Sequence, residues 1–382
     1  MYEIGFCKCV NLKLNNLHKH IKTETMVQSK TLDFSGTTIF CGIDVHKKNW
    51  RINIQDSEFE LEDFSQNPDA VLLHSHLKRK YPGAKYKVCY EAGFSGFSAQ
   101  RWLSQNGVDC LVLNAADVAT NHKEKRQKND KIDARKLCEY LQTKKVRSVF
   151  IPEVHWEHSR SLVRLRERIV SNQTRCKNRV WQLLHFSGLS LPKGYEAGQY
   201  WSKNFINELE CLDCGSDVLK TTLKLYIQDF QQTRALLLEA TKNIRELCKS
   251  PLYEKDIILI KSIPGIGAIN AAIILFELQD VTRFKHFDHL CSYVGLVPDT
   301  SDSGDKKIAK GITSRSNHNL RTALVESSWT VIRKDPALLM KYKEYCKRMD
   351  KNKAIIRVAK HLLSRINYVL KNKKEYVSGV VA

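Results

Sequence analysis

Apolar and polar positions alternate through the first third of the chain. Three short runs, Ile39–Val45, Trp50–Gln55 and Phe59–Phe64, have the length and composition of strands, and the hairpin-sized gaps between them predict antiparallel pairing. A helix is predicted over Pro68–Lys80 with Val71, Leu72 and Leu77 inward, then strand Tyr86–Glu91, helix Ser98–Gln105 and strand Asp109–Leu113. A long basic connection, Asn114–Asn129, leads to Ile132, Leu137, Cys138 and Leu141, which mark a helix from about Asp130 to Leu141.

Beyond residue 150 the period changes. Leu162, Leu165, Ile169, Asn172, Cys176, Val180 and Leu183 recur at three- and four-residue spacing, as do Leu219, Leu223, Ile227, Phe230, Leu237, Ile244 and Leu247. Two long helices joined by a smaller insert fit a coiled-coil arm, with Asn172 at a seam position that would help fix register. The last part reads as mostly helical. Ile257–Ile263, the turn Pro264-Gly265-Ile266-Gly267 and the apolar run Ala271–Leu275 have the form of a helix-hairpin-helix; a plain tight turn between core helices fits the same letters. A polar loop, Asp299–Lys307, precedes helix Thr322–Arg333, and Ile355, Val358, Leu362 and Ile366 form a core-facing stripe. The divisions expected are an extension over 1–38, an α/β domain over 39–150, the arm over 151–250 and a C-terminal domain over 251–382.

Charge narrows the function. The 382 residues carry 62 Lys and Arg against 41 Asp and Glu, a formal charge of +21. Such an excess implies a polyanionic partner, with nucleic acid ahead of a membrane surface. No signal-peptide pattern stands at the start, and the most apolar run, Ile263–Leu278, is too short and too broken to span a bilayer. Twelve scattered cysteines predict reduced thiols in a cytoplasm. Cys7-x-Cys9 with His18 and His20, and Cys211-x-x-Cys214, each lack a convincing second half for a zinc site.

The acids carry the candidate chemistry. Asp44 and Glu91 each end an apolar strand, where a carboxylate is costly unless paired or holding a cation. Asp130 and Asp133 stand three apart at the start of a helix and so share a face. An N-cap and a solvated acid fit that spacing equally well. Four converging carboxylates would repel one another, and a divalent ion relieves the repulsion. An oxygen-only donor set favours Mg²⁺ or Mn²⁺ over zinc. Lys123, Lys125, Arg126, Lys128, Lys131, Arg135 and Lys136 surround the acidic pair, where they suit nucleic-acid phosphates or simply a solvated face. In the C-terminal part, Gly265 and Gly267 free backbone N–H groups for a phosphate, and Lys306, Lys307, Lys310, Arg315 and Arg321 surround Ser303-Gly304. Taken bare, Ser303 is a turn residue.

The order βββαβαβα, with acids on the first and fourth strands and on the last helix, is the ribonuclease-H-like arrangement, which sets Asp44 beside Glu91. In detail, Gly42-Ile43-Asp44-Val45-His46-Lys47-Lys48, Tyr90-Glu91-Ala92-Gly93-x-Ser95-Gly96 and Lys128–Arg135 resemble the DEDD transposases of the insertion-sequence-110 family. Ser262–Gly267, Tyr293–Pro298, Ser303-Gly304 and Asn319-Leu320-Arg321 resemble that family's second domain, and the match runs in order over roughly residues 39 to 370. The extension before residue 39 is extra, and Ser316-Asn317 stands where the family often has Gly-Asn.

The resemblance implies a resolvase-like first domain whose Asp44, Glu91, Asp130 and Asp133 hold Mg²⁺ or Mn²⁺. It also implies a second domain whose Ser303 attacks DNA, with an arm that mediates dimers or tetramers. A noncoding bridge RNA would pair with target and donor DNA, in a bacterial or archaeal cytoplasm at the nucleoid. Two other readings use the same residues. One is a junction-resolving nuclease that hydrolyses with water; the other is a nucleic-acid-binding protein without catalysis. The chain has no phosphate loop of the Gly-x-x-x-x-Gly-Lys-Ser/Thr kind, which fits strand exchange without ATP.

Overall fold

The computed structural model describes residues 33–118, 130–143, 146–195, 198–303 and 306–378; the side chains of 130, 131 and 300–310 lie outside that description. Two compact units, Met1–Ile151 and Pro152–Ala382, divide the chain.

The first unit is built on a five-stranded sheet. Its strands are β1 (Thr38–Val45), β2 (Trp50–Gln55), β3 (Glu60–Gln66), β4 (Lys85–Glu91) and β5 (Asp109–Leu113), in spatial order β3-β2-β1-β4-β5. The first three pair antiparallel, as their short connections require, whereas β4 and β5 join parallel to β1. Alternation gives the sheet two different faces. On one, Ile39, Cys41, Ile43, Ile52, Ile54, Val88 and Tyr90 close a core with helices α1 (Ala70–Lys80) and α2 (Ser98–Gln105). On the other lies α3 (Asp130–Gln142), packed through Leu137 and Leu141 against Cys89 and Leu113. This mixed sheet with helices on both faces is consistent with a ribonuclease-H-like domain.

Two expectations for this unit need correction. The third strand begins later, at Glu60, because Asp56 accepts the N–H groups of Glu58 and Phe59 and holds those residues in the turn. On α1 the inward residues are Leu73, His74 and Leu77, while Val71 and Leu72 are half exposed. Asp69 caps the helix through Val71 N–H, and that start sets the face.

The second unit begins with α4 (Val154–Phe186), α5 (Lys203–Glu210) and α6 (Asp217–Leu247). The two long helices run antiparallel: Arg166 Nε donates to Thr241 Oγ1 at 3.2 Å near one end, and Arg179 Nη1 reaches Asp229 Oδ2 at 3.1 Å near the other. The α6 seam follows the predicted line through Leu223, Ile227, Phe230 and Ile244. The α4 seam follows its predicted line at Cys176 and Val180 and departs from it elsewhere. Ser159, Val163, Cys176, Val180 and Leu184 are buried, whereas Leu165 and Asn172 are exposed. Polar members of the true line, Ser159 and Arg166, divert a count of apolar residues onto the neighbouring stripe. Phe205, Ile206 and Leu209 of α5 cap the far end, with Trp181, Tyr200 and Trp201 around Phe205.

The remaining helices are α7 (Glu254–Lys261), α8 (Ala268–Leu278), α9 (Phe287–Val294), α10 (His318–Val331), α11 (Pro336–Cys346) and α12 (Lys351–Asn372). Residues Ala271–Leu278 are buried without a break, and the predicted α12 stripe packs into the same core. The polar segment before α10 is not a loop. It forms an antiparallel hairpin of β6 (Pro298–Ser303) and β7 (Lys306–Ile312), with Ser303 opposite Lys306. β6 is polar and the Ile308 to Ile312 pattern of β7 is interrupted by Lys310, so periodicity could not reveal the hairpin.

Candidate functional site

Strand register brings the first two acids together. Ile43 of β1 lies opposite Tyr90 of the parallel strand β4, so the next residues, Asp44 and Glu91, end adjacent strands. Neighbouring strands are about 4.8 Å apart. Gly42 lets the α3 backbone approach β1 two residues before Asp44. A Cβ there would stand 2.2 Å from the Ala134 carbonyl oxygen and 2.6 Å from the Cys138 amide nitrogen. Only glycine lets the α3 backbone lie this close to β1, and Ala134 follows Asp133 directly. Asp133 is part-exposed, and Asp130 opens the same helix. The Asp130 side chain lies outside the described residues, and among those described no three His, Cys, Asp or Glu side chains form a metal-holding group. The donor set is chemically apt for a hard divalent ion, being carboxylate oxygen throughout.

Three other side chains shape this edge. His46 Nε2 is 3.0 Å from Asp44 Oδ2. Lys136, only 14 % exposed, has its ammonium 3.9 Å from Asp133. Arg51 stands opposite Asp44 in the β1–β2 register, but its guanidinium turns toward β3, 2.5 Å from Asp63 and 3.2 Å from Ser65 Oγ. Among the predicted phosphate-binding residues, Arg135 is ion-paired with Glu60 and fastens α3 to β3. Lys123, Lys125, Arg126 and Lys128 lie outside the described residues. The nearby thiols of Cys41 and Cys89 are pushed up by burial, and that of Cys138 to about 12, so they are inert core groups.

In the second unit Gly265 has φ +96°, and a Cβ on it would meet Val331 N at 2.8 Å. Its glycine is thus explained by the approach of α10. Gly267 faces open space at the start of α8. Ser303 ends β6; its side chain and those of Lys306 and Lys307 are outside the described residues. Arg315 is exposed, while Arg321 Nη1 donates to the carbonyls of Thr313 at 2.8 Å and Gly295 at 3.4 Å, binding the hairpin's exit to α9. Cys214 is packed in the arm's apolar cluster and Cys211 is exposed.

Pattern reading missed Glu277. It lies in a fully buried apolar stretch of α8 and is itself 0 % exposed. Arg164 of α4 donates to it twice, Nε at 2.6 Å and Nη2 at 2.8 Å; Asn317 Nδ2 donates at 2.8 Å and Asn319 Nδ2 at 3.4 Å. Burial pushes the Glu277 carboxyl up, but the Arg164 guanidinium and Asn317 outweigh it and hold the group below the usual glutamate value. A lone acid between Phe276 and Leu278 was the available signal.

A five-stranded mixed sheet with Asp44 and Glu91 on adjacent strands, overlain by a helix beginning Asp-x-x-Asp, is consistent with a ribonuclease-H-like domain. Residues 41–187 match the family model of DEDD transposases of the IS110 type, and residues 258–343 match that described as "Transposase IS116/IS110/IS902 family". The chain belongs to this transposase family. It is similar to the "Transposase for insertion sequence element IS1111A" of Coxiella burnetii, 26 % identical over 55 % of this chain and 56 % of that protein. It also resembles the "Transposase for insertion sequence element IS1533" of Leptospira borgpetersenii, 24 % identical over 76 % of this chain and 84 % of the relative. A third relative is the "Transposase for insertion sequence element IS1328" of Yersinia enterocolitica, 26 % identical over 53 % and 58 %. The chain thus spans little more than half the length of two of these three relatives. No helix among the described residues is long and apolar enough to cross a membrane.

Proposed function

We propose that this transposase cleaves and exchanges DNA strands with two sets of residues: Asp44, Glu91, Asp130 and Asp133 as carboxylates for Mg²⁺ or Mn²⁺, and Ser303 as nucleophile. The observation that carries the reading is the Asp44–Glu91 register, with α3 drawn over Gly42 beside it. When bound, the divalent ion supplies neutralisation of charge developing on phosphoryl oxygens. The β1 and β4 strands and the α3 helix would present these acids from rigid elements. The Ser303 hydroxyl, on the β6–β7 hairpin, attacks a backbone phosphorus. An Oγ–P bond forms as one P–O bond of the DNA breaks; the serine proton passes to water and the released DNA hydroxyl takes one up. The covalent link conserves the phosphodiester energy for rejoining.

The remaining roles follow the same reading. The α4–α6 pair serves as a coiled-coil arm for a homodimer or homotetramer, and α7–turn–α8 serves as a helix-hairpin-helix with Gly267 as its open phosphate contact. Lys123, Lys125, Arg126, Lys128, Lys306, Lys307 and Arg315 contact nucleic-acid phosphates. A bridge RNA selects target and donor, and the protein works at the nucleoid. Denaturing gels of wild type, Asp44→Asn and Ser303→Ala with labelled DNA test this. We expect a covalent protein–DNA band only in wild type. Cleavage without such a band, unaffected by Ser303→Ala, would establish water hydrolysis instead.

A further inference from the structure

Resting on that serine reading, we infer that Glu277 is a positioning residue that ties the arm helix α4 to the frame from which the β6–β7 hairpin projects. Both feet of the hairpin are stitched to it. At the base, Pro298 pairs with Ile312 and Thr313 N–H donates to Val297 O at 3.1 Å. Behind them, Asn317 N–H donates to Tyr293 O at 2.9 Å, and Arg321 joins Thr313 to Gly295. All of this converges on one residue. Tyr293 Oη donates to the Glu277 backbone carbonyl at 3.0 Å. Asn317 Nδ2 lies between the Glu277 carboxylate and Tyr293 Oη, at 2.8 and 3.1 Å. The same Asn317 caps α10 by accepting Leu320 N–H through Oδ1. On the opposite side the carboxylate is gripped by Arg164 of α4.

The chemistry of the position supports orientation over stability. Every neighbour of Glu277 along α8 from Ala271 to Leu278 is buried and otherwise apolar. A buried ion pair is seldom better for stability than well-packed hydrophobic residues. What it adds is direction: a bidentate guanidinium–carboxylate pair admits one relative placement of the two helices. A shift of α4 is therefore passed to Asn317 and Tyr293, and through them to the hairpin that carries Ser303. Beside the apolar packing of Trp156 and Val163, the Arg164–Glu277 pair is the polar link from the arm to the hairpin's frame.

Asn317→Ser separates capping from coupling, because serine still offers a cap oxygen but has no amide to reach Glu277. Glu277→Gln is the second variant, keeping shape while removing charge. Hydrogen exchange on the full-length protein reads the coupling directly. We expect both variants to speed exchange of the Lys306–Ile312 amides about tenfold more than that of α8 and α12. With DNA present, adduct formation should slow by about a hundredfold, the scale of an ångström's misplacement, at unchanged DNA affinity. Hairpin exchange equal to wild type, or hairpin and core exchange rising by the same factor, overturns the inference. A Ser303→Ala control reads the nucleophile separately, so exchange decides the Glu277 link whichever group attacks DNA.

Discussion

Gly42 of β1 and Ala134 of α3 touch backbone to backbone: a Cβ on Gly42 would stand 2.2 Å from the Ala134 carbonyl oxygen. That contact sets the height of the acidic helix over the sheet edge where Asp44 and Glu91 meet. Gly42→Ala must lift α3 or distort β1, at a cost of about 1–3 kcal/mol or more. The expected result is a lower unfolding midpoint of the first unit with cleavage lost. A variant that melts and cleaves like wild type would show that the closeness of α3 is not needed.

The Arg164–Glu277 pair is a second fixed point. Arg164→Ala strands a fully buried carboxylate, and breaking such a pair costs about 3–5 kcal/mol. Arg164→Met combined with Glu277→Gln removes both charges and should recover most of that loss. Chemical denaturation of the three proteins checks the order, and a double variant less stable than Arg164→Ala would contradict it.

The same carboxyl makes stability depend on pH. Its value in the folded protein lies below the ordinary glutamate value, since Arg164 and Asn317 outweigh burial. The stabilisation is therefore fully present above the ordinary value and fades as pH falls through the folded one. The gap in thermal midpoint between wild type and Glu277→Gln should be wide near neutrality and close on acidification. A gap independent of pH would mean that Glu277 does not titrate with folding. Arg164, Arg160, Asn317, Asn319 and Tyr293 are the polar groups around it.

In the arm, the register of α4 is testable by substitution. Leu184 is 1 % exposed, and Leu184→Ala should cost about 2–5 kcal/mol. Asn172 is exposed, and Asn172→Ala should stay within about 0.5 kcal/mol of wild type. The reverse order, read by denaturant midpoints, would restore the apolar-count seam.

These cases show where a sequence can be read and where it cannot. Strands β1, β2, β4 and β5 were legible because each has an apolar face with period two, and the Asp44–Glu91 adjacency followed from their order. Part of the α4 seam was misread because its contacts include Ser159 and Arg166, whose partners are Tyr253, at the start of α7, and Thr241 of α6. The β6–β7 hairpin was hidden because β6 is polar and Lys310 interrupts the Ile308 and Ile312 pattern of β7. Glu277 was hidden because its donors come from residues 113, 40 and 42 positions away in the chain. For Arg135 and Arg321 the local sequence shows charge but not the Glu60 or carbonyl partners that each also holds.

The central claim is that Asp44, Glu91, Asp130 and Asp133 gather one hard divalent ion. Titration of Mn²⁺ into the full-length protein, followed by electron paramagnetic resonance, tests it most directly. A bound-manganese signal is expected in wild type and in Ser303→Ala, displaced by Mg²⁺ and lost in both Asp44→Asn and Glu91→Gln. Unaltered manganese binding in Asp44→Asn and Glu91→Gln would contradict it.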